Sequence, residues 1–255
     1  MGALTGEPVM VTARFRFYGQ LRDFLPPERR GRFFTHAVKG CPAVKDTLEA
    51  LGVPHTEIDA VFANRRPADF SHRLQPGERI EAYPLHYPHR RVGVRHLTPR
   101  LRGRPRFVVD SHLGRLVRHL RLLGFDSDYR RIFPDREIVQ IADREGRIVL
   151  TRDIGLLKNK RIRQGYWVRH TSAVRQLKEV LRRYDLPKKI QPFSRCLECN
   201  GRIARIVKRR VEQNLPRRVV LYYNKFYICR GCAKIYWQGS HYDKLMKLVE
   251  RISPK

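Results

Sequence analysis

The sequence predicts an α/β protein that ends in a small metal-binding module. Between residues 105 and 185, strand patterns alternate with helix patterns, an order typical of a parallel sheet. A ββαβ…β order precedes this stretch in residues 1–85, and two C-x₂-C pairs follow it near the end of the chain. With 255 residues, the chain has room for one large domain or for two to three small ones, each able to bury a core.

The first segment, residues 1–85, is predicted to be an α+β module. Alternating apolar residues indicate half-buried strands, and one apolar stripe with helical spacing is closed by Gly52. The expected elements are strands at 9–17 and 32–38, a helix at 44–51, and strands at 61–63 and 80–83.

This order of elements resembles the ubiquitin-like β-grasp of the sulfur-carrier proteins ThiS and MoaD. Those carriers act through a terminal Gly-Gly, whereas this chain continues past Tyr83 into Pro84-Leu85-His86. The resemblance therefore implies a ubiquitin-like domain over residues 1–88 that serves recognition or packing, with a protein partner as one possibility. Cys41 stands alone beside Pro42 and is expected to be a small buried residue.

The middle segment is predicted to build the parallel sheet. Its expected strands lie at 107–109, 148–151 and 166–168, and its expected helices begin at Ser111, at Pro134 or Asp135, and at Ser172. In such sheets, residues just past the carboxyl ends of the strands face one crevice. Asp110 and Asp153 each follow a strand, so we expect both at the same edge.

Two carboxylates at one edge of a basic domain predict a divalent-metal site. Like charges repel unless a cation lies between them. Mg²⁺ and Mn²⁺ prefer carboxylate and water oxygens, and a metal held this way can assist an in-line displacement at a phosphodiester. The alternative is that each aspartate only caps the helix that follows its strand.

Two long motifs in this segment resemble the PIN-like RNase domain named after the C-terminal part of the Mut-seven exonuclease. They are Val-Val-Asp110-Ser-His-Leu-Gly-Arg-Leu-Val-Arg-His-Leu-Arg-Leu-Leu-Gly-Phe-Asp126 and Gly-Arg-Ile-Val-Leu-Thr-Arg-Asp153-Ile-Gly-Leu-Leu. The family pairs this domain with a cysteine segment and often with a ubiquitin-like region, so the resemblance covers nearly the whole chain. It implies a three-layer PIN-like domain over residues 105–188 and a Mg²⁺- or Mn²⁺-dependent ribonuclease.

The resemblance also assigns catalytic acids. Asp110 matches the first acid of PIN-like domains, and Asp153 matches the acid of the Thr-Arg-Asp motif. Asp126, in Gly-Phe-Asp, is the family position expected to complete the cluster. The remaining candidates for a fourth acid are Asp128, Asp135 and Asp143.

The last domain, residues 189–255, carries the pairs Cys196-Leu-Glu-Cys199 and Cys229-Arg-Gly-Cys232. Each pair can form a tight turn with both thiolates aimed at one ion, and four thiolates satisfy tetrahedral Zn²⁺. Iron is the alternative metal, and disulfides are disfavoured because nothing indicates secretion. A metal with four protein ligands has no open position, so this zinc ribbon is predicted to be structural.

The charge of the chain predicts a polyanionic partner. Its formal net charge of +30 divides into +6 over residues 1–100, +11 over 101–185 and +13 over 186–255. Nucleic acid is the first candidate and an anionic membrane surface the second. Residues 89–104 are expected to be a basic linker. The residues expected to bind RNA are Arg115, Arg118, Arg121, Arg152, Lys208, Arg209, Arg210, Arg217 and Arg218.

Aromatic residues lie among the basic clusters of the ribbon. Tyr222, Tyr223 and Phe226 either stack on bases or form the small core of the ribbon. Trp237 and His241 lie in a stretch that resembles the Tyr-Trp-x-Gly-Ser-His ending of the family, where either can reach RNA or pack against the crevice. The choice of RNA over DNA, with transfer or ribosomal RNA as candidates, is implied by the family.

These observations lead to one expected function and one alternative. The sequence has no run of 18 apolar residues and no signal-peptide core, which predicts a cytoplasmic protein without a membrane span. The expected function is hydrolysis of RNA by a metal-dependent ribonuclease. The alternative is a non-catalytic RNA- or ribosome-binding protein that uses the PIN-like domain as a scaffold. The acids favour the nuclease, because a passive binder needs only the positive charge.

Overall fold

The computed structural model describes residues 10–88, 93–101 and 103–252. These residues form two compact units. The first unit runs to Arg100 and also takes up Asp153–Trp167, and the second contains Leu101–Arg152 and the chain from Val168 onward. In the described part, no helix is long and apolar enough to cross a membrane. Val9, the expected start of the first strand, and residues 89–92 and 102 of the expected linker lie outside the described residues.

The elements are numbered in chain order. The strands are β1 (Met10–Phe17), β2 (Phe34–Lys39), β3 (Ile58–Ala63), β4 (Arg66–Ala68), β5 (Arg79–Pro84), β6 (Arg106–Val109), β7 (Asp126–Asp128), β8 (Ile148–Thr151), β9 (Gly165–Trp167), β10 (Ile203–Ile206), β11 (Phe226–Cys229) and β12 (Ile235–Trp237). The helices are α1 (Val44–Ala50), α2 (Gly114–Leu122), α3 (Asp135–Glu145), α4 (Ile154–Leu157), α5 (Ala173–Arg183), α6 (Arg217–Tyr222) and α7 (Ser240–Ile252).

The first unit is built on a mixed five-stranded sheet with the order β2-β1-β5-β3-β4. β1 is antiparallel to β2 and parallel to β5, and β3 is antiparallel to both β5 and β4. Phe15, Leu48 and Ile80 are fully buried, so α1 and one face of the sheet share a core. The predicted strands and helix are confirmed. β4 was missed because three residues with a central Pro67 show no alternation.

The segment Asp153–Trp167 belongs to the first unit through several contacts. The backbone amide of Trp167 donates to the Glu57 carboxylate at 2.6 Å, and its ring lies 5.0 Å from that of Phe24. His55 Nε2 lies 2.9 Å from the carbonyl oxygen of Ile162. The sequence places this segment inside the domain of residues 105–188, whereas its contacts group it with the N-terminal sheet.

The second unit contains the parallel sheet. β6 is parallel to β7 on one side and to β8 on the other. The strands β6 and β8 were predicted from their apolar runs, and both are buried. β7 was not predicted, because Asp126-Ser127-Asp128 has no apolar pattern. Beyond the end of β8, the Val168 amide donates to the Thr151 carbonyl at 2.8 Å.

The helices of this unit follow their predicted apolar stripes, but one predicted cap is wrong. α2 buries Leu116 and Leu120, and α3 ends at Gly146 with a φ of 61°. Ser111 lies in a short 3₁₀ turn before α2, and its hydroxyl donates to the Asp110 carboxylate instead of capping a helix. Ser172 stands at the N-cap position of α5 as predicted, without a side-chain capping bond.

The cysteine segment forms an antiparallel three-stranded sheet with the order β10-β11-β12. The expected hairpin-like region between the cysteine pairs contains the β10–β11 pair, and the excursion between these strands also holds the helix α6. α7 was not predicted, and it buries Val249 and Ile252.

Candidate functional site

Four cysteine sulfurs converge in the ribbon. The Sγ atoms of Cys196, Cys199, Cys229 and Cys232 all lie within 4.8 Å of one another. Cys196 is 3.7 Å from Cys232, and Cys199 is 3.3 Å from Cys229. Over the described ranges, this is the one group of three or more potential ligands that can surround a metal ion. Four thiolates in a closed set fit zinc, as the spacing predicted.

Backbone amides surround the sulfurs. The amide of Gly201 donates to Cys199 Sγ at 3.4 Å, and the amide of Gly231 donates to Cys229 Sγ at 3.3 Å. A Cβ atom on Gly201 would lie 2.7 Å from Cys229 Sγ, so only glycine lets the two turns approach. These donors offset the negative charge that four thiolates bring together.

The thiol pKa values differ across the cluster. Burial raises the pKa of Cys196, but hydrogen bonds from the Cys199 amide and the Tyr236 hydroxyl outweigh it and lower the pKa to about 7. Burial and the neighbouring cysteines raise the pKa of Cys199 to about 12. Metal-bound cysteines are deprotonated, so a bound cation offsets the burial and the neighbouring thiols that raise this pKa.

Asp110 stands at the carboxyl end of β6 and is buried, with 6% of its surface exposed. The Thr151 hydroxyl donates to Oδ2 at 2.6 Å, and the Ser111 hydroxyl donates to Oδ1 at 3.1 Å. Both hydroxyls hold the carboxylate in one orientation. Each carboxylate oxygen has a second lone pair, so further coordination is chemically available.

Asp126 stands at the other end of the sheet. It is aligned with Arg106, the first residue of β6, whereas Asp110 follows the last residue of that strand. Four residues of strand separate the two positions, roughly 13 Å along the chain direction. The structure therefore does not bring Asp126 to Asp110, although the family resemblance implies that the two share a cluster.

The Asp126 carboxylate is engaged by two cations and an amide. Arg147 donates to Oδ1 at 2.7 Å, Asn200 donates to the same oxygen at 2.8 Å, and Arg195 donates to Oδ2 at 3.1 Å. Burial alone would raise the pKa of Asp126. The hydrogen bonds from Arg147 and Asn200 and the two guanidinium charges outweigh burial, so the pKa lies below its ordinary value. This arrangement neutralises the carboxylate and joins the ribbon to β7.

Asp128 lies closer to the Asp110 edge. It is the last residue of β7 and is aligned with Val108, two residues before Asp110. The sequence ranked Asp128 below Asp126, because Asp126 is the family position and exposed carboxylates beside arginines are usually solvated partners. The strand β7 was not predicted. Once that strand is known, the rule that placed Asp110 at the carboxyl edge also places Asp128 there. Asp135 and Asp143 lie on α3, outside the strand ends.

Asp153 caps a helix in the first unit. Its side chain accepts a hydrogen bond from the Gly155 amide at 2.7 Å and caps α4. This contact matches the capping alternative drawn from the sequence. Its convergence with Asp110 stays a prediction.

The three arginines of α2 divide into two kinds. Arg115 and Arg118 are exposed, whereas Arg121 is buried with 5% of its surface exposed. The expectation that Arg121 contacts RNA is therefore corrected. A step of three residues turns an α-helix by about 300°, so the third arginine has rotated toward the packed side.

Arg121 contacts the backbone of two other elements. Its guanidinium donates to the carbonyl of Ser127 in β7 at 2.9 Å and to the carbonyls of Leu197 and Glu198. Leu197 and Glu198 lie between the first two cysteines. Arg121 therefore fastens the first cysteine turn to α2 and β7.

The other basic residues expected to bind RNA lie on the surface. Arg152 donates to the carbonyl of His170 at 2.8 Å, and Lys208 donates to the side chain of Asn224 at 3.0 Å. The remaining four, Arg209, Arg210, Arg217 and Arg218, are exposed.

The second unit combines a parallel sheet, a buried acid at the carboxyl edge of that sheet and a four-cysteine ribbon. With a net charge of +30, the chain is an α/β protein suited to binding a polyanion. The Mut7-C RNAse domain matches residues 105–249, and the Mut7-C ubiquitin domain matches residues 10–90. The chain belongs to the Mut7-C RNAse domain family. The resemblance drawn from the sequence is thus confirmed for both regions, and the family suggests a nuclease-like role.

Comparisons with curated proteins and with solved structures found no significant match.

Proposed function

We propose that the protein is a metal-dependent ribonuclease whose PIN-like site lies at the carboxyl edge of the parallel sheet in the second unit. The observation that supports this most is the position of Asp110. A carboxylate that is buried and oriented by two hydroxyls, in a chain of net charge +30, is arranged to hold a cation next to phosphates.

The proposed ligands in the second unit are Asp110 and Asp128, and the family motif adds Asp153 as a further candidate. Mg²⁺ commonly binds through one or two carboxylates and completes its shell with water and phosphate, so a small acidic set fits it. When bound, Mg²⁺ or Mn²⁺ supplies charge against the phosphate oxygens and lowers the pKa of its water. Asp126 is the family's candidate for the same set, and its contacts with Arg147 and Arg195 support a structural role instead.

The protein's own residues orient the acidic ligand and bind the RNA backbone. Thr151 and Ser111 hold the Asp110 carboxylate in place through their hydroxyls. The exposed cations of α2 and of the ribbon excursion attract the RNA backbone, and they hold its phosphates without reading the sequence. Residues 189–252 add the zinc-stabilised scaffold that carries part of this charge.

The test is cleavage of single-stranded and structured RNA by the full-length protein in Mn²⁺. We expect Asp110→Asn to lower the rate by about 100-fold or more, as for loss of an electrostatic group in an active site. Asp128→Asn and Asp153→Asn should also lower it, while Asp46→Asn, an exposed acid on α1, should not. Unchanged cleavage in Asp110→Asn, at unchanged melting temperature, would reject the site.

A second candidate function is RNA or ribosome binding without turnover. It is supported by the ion pairs that occupy Asp126, since they remove one acid of the expected cluster. This function predicts salt-dependent RNA binding that survives Asp110→Asn, with no cleavage by the wild type in any divalent ion. Transfer and ribosomal RNA are the first RNAs to test for binding. The ubiquitin-like region is the proposed site for a protein partner.

A further inference from the structure

A cleft of about 1080 Å³ lies within the second unit, on the side of the sheet that carries α2. Arg115, Arg118 and His119 of α2 line one wall. The ribbon strands β11 and β12 and the start of α7 line the other. A cleft of this size can hold more than one nucleotide.

The ribbon wall is aromatic. Tyr223, Tyr227, Trp237 and Tyr242 all line the cleft, and each is half-buried. The sequence left open whether the aromatics near the cysteines stack on bases or form the ribbon core. Phe226 is fully buried and belongs to the core, whereas these four reach the cleft.

The rim of the cleft is basic. Arg115, Arg118, Lys234 and Lys244 line it and are exposed. Among the described residues that line it, Glu198 is the one carboxylate, and it accepts a hydrogen bond from Lys234 at 3.0 Å. The rim therefore carries a net positive charge above an aromatic wall.

We propose that this cleft binds a single-stranded RNA segment, with bases stacked on the ribbon aromatics and phosphates held by the α2 arginines. Every base has a π-face, so aromatic walls with basic rims suit single strands of any sequence. A duplex hides those faces inside its base stack. The inference rests on the proposed function for the choice of RNA as the polymer, and the cleft itself supplies the choice of a single strand.

The sharpest probe is the fluorescence of Trp237. The chain has two tryptophans, and Trp167→Phe leaves Trp237 as the only one. We expect a labelled single-stranded RNA of about ten nucleotides to quench this fluorescence in a saturable way. The zinc-loaded, full-length protein is titrated without added Mg²⁺ or Mn²⁺, so that cleavage plays no part.

Substitutions test which residues of the cleft contact the RNA. Tyr223→Ala should weaken binding, measured by anisotropy of the labelled RNA, by about tenfold. Tyr222→Ala is the matched control, because Tyr222 is 78% exposed and does not line the cleft. Arg115→Gln and Arg118→Gln should each lower the salt slope of the affinity by roughly 0.7, whereas Arg136→Gln on α3 should leave affinity within about twofold.

Several results would overturn the proposal. They are RNA binding without a Trp237 signal, equal quenching by duplex RNA, and equal losses in Tyr222→Ala and Tyr223→Ala. An acidic peptide that competes for the cleft as well as RNA does would reassign it to a protein partner. If RNA quenches the Trp237 fluorescence but is never cleaved, the result supports binding in the cleft and rejects the nuclease function. If RNA is cleaved without quenching, the result supports the nuclease function and rejects binding in the cleft.

Discussion

Two aspartates stand at opposite ends of the parallel sheet in the second unit, and their surroundings differ in kind. Asp110, at the carboxyl end of β6, meets two hydroxyls. Asp126, at the start of β7, meets two guanidinium groups and an amide. Hydroxyls orient a carboxylate and leave its charge in place, whereas guanidinium groups cancel that charge.

Two acids of one nuclease-family motif can therefore have entirely different surroundings. Asp126 links β7 to the turn of the first cysteine pair, since Arg195 and Asn200 flank that pair. The amino end of the sheet is thus a structural joint that depends on the ribbon. The carboxyl end is the edge suited to a cation, and it depends on contacts inside the sheet.

Removing the zinc site should produce the largest difference between the part of the second unit that depends on the ribbon and the part that depends on the parallel sheet. Cys196→Ser should lose the bound zinc, and the ribbon strands with it, because structural zinc contributes about 10 kcal/mol or more to such modules. Metal analysis and hydrogen exchange measure both effects. Amides of β10–β12 should lose protection, while those of β6 and β8 keep theirs.

The control for this change is Cys41→Ser. Cys41 is exposed, so the expectation that it is buried was wrong, and it lies outside the cluster. It should keep one zinc per chain. Full protection of the ribbon amides in Cys196→Ser would show that the ribbon folds without metal and would remove the proposed dependence of the joint on zinc.

Substituting the two aspartates should show the next largest difference. Asp126→Asn should lower the free energy of unfolding by about 3 kcal/mol, because the half-buried Arg195 loses its carboxylate and Arg147 keeps only Glu145. Asp110 forms no ion pair with any residue that the structure describes, so Asp110→Asn should cost about 1 kcal/mol. Urea unfolding of the zinc-loaded variants measures both. Equal losses would erase the distinction between the two ends.

The pH dependence of the free energy of unfolding should also distinguish the two aspartates, by a smaller amount. The folded pKa of Asp126 lies below its ordinary value, so its ion pairs contribute fully above the unfolded pKa of about 3.9. This contribution is lost as the pH falls through the folded pKa. The stability difference between wild type and Asp126→Asn should therefore shrink below about pH 4.

Unfolding in urea at a series of pH values between neutral and strongly acidic measures that difference. Asp110→Asn serves as the reference variant, because it keeps the Asp126 ion pairs. A difference that stays constant down to the acid transition would mean that Asp126 contributes through its shape and not through its charge.

The smallest effect on stability is expected at the hydroxyls around Asp110. Thr151→Val should cost about 1 kcal/mol of unfolding free energy, since it removes one hydrogen bond to the carboxylate. It should nevertheless raise the Mn²⁺ concentration needed for cleavage by about 10- to 100-fold, as for other groups that orient metal ligands. Thr47→Val, at a buried threonine of α1, is the control.

Predictability from the sequence differed between the cysteines and the acids. Each C-x₂-C pair is a local turn, so its spacing alone indicates that both sulfurs point to one side. The convergence of Cys196, Cys199, Cys229 and Cys232 is confirmed for that reason. The acids sit on three different elements, and their relation depends on which strands form and how they pair.

The strand β7 shows where the sequence pattern stopped being informative. Asp126-Ser127-Asp128 has no alternation, yet it pairs in parallel with β6, because backbone pairing requires no side-chain pattern. This single pairing sends Asp126 to one end of the sheet and brings Asp128 toward the other. The position of Arg121 was missed for a similar reason, since a three-residue spacing only approximates one helix face.

The α/β class, the family, the apolar stripes of the helices and the cluster of four cysteines could all be predicted from the sequence. These follow from local spacing and from burial of apolar side chains, which a linear pattern records. The tertiary structure alone decided which carboxylate is neutralised, which arginine is buried and which aromatics line a cleft. Charge and hydrogen bonding act through space, so partners such as Asp126 and Arg195, 69 residues apart, are invisible until the chain has folded.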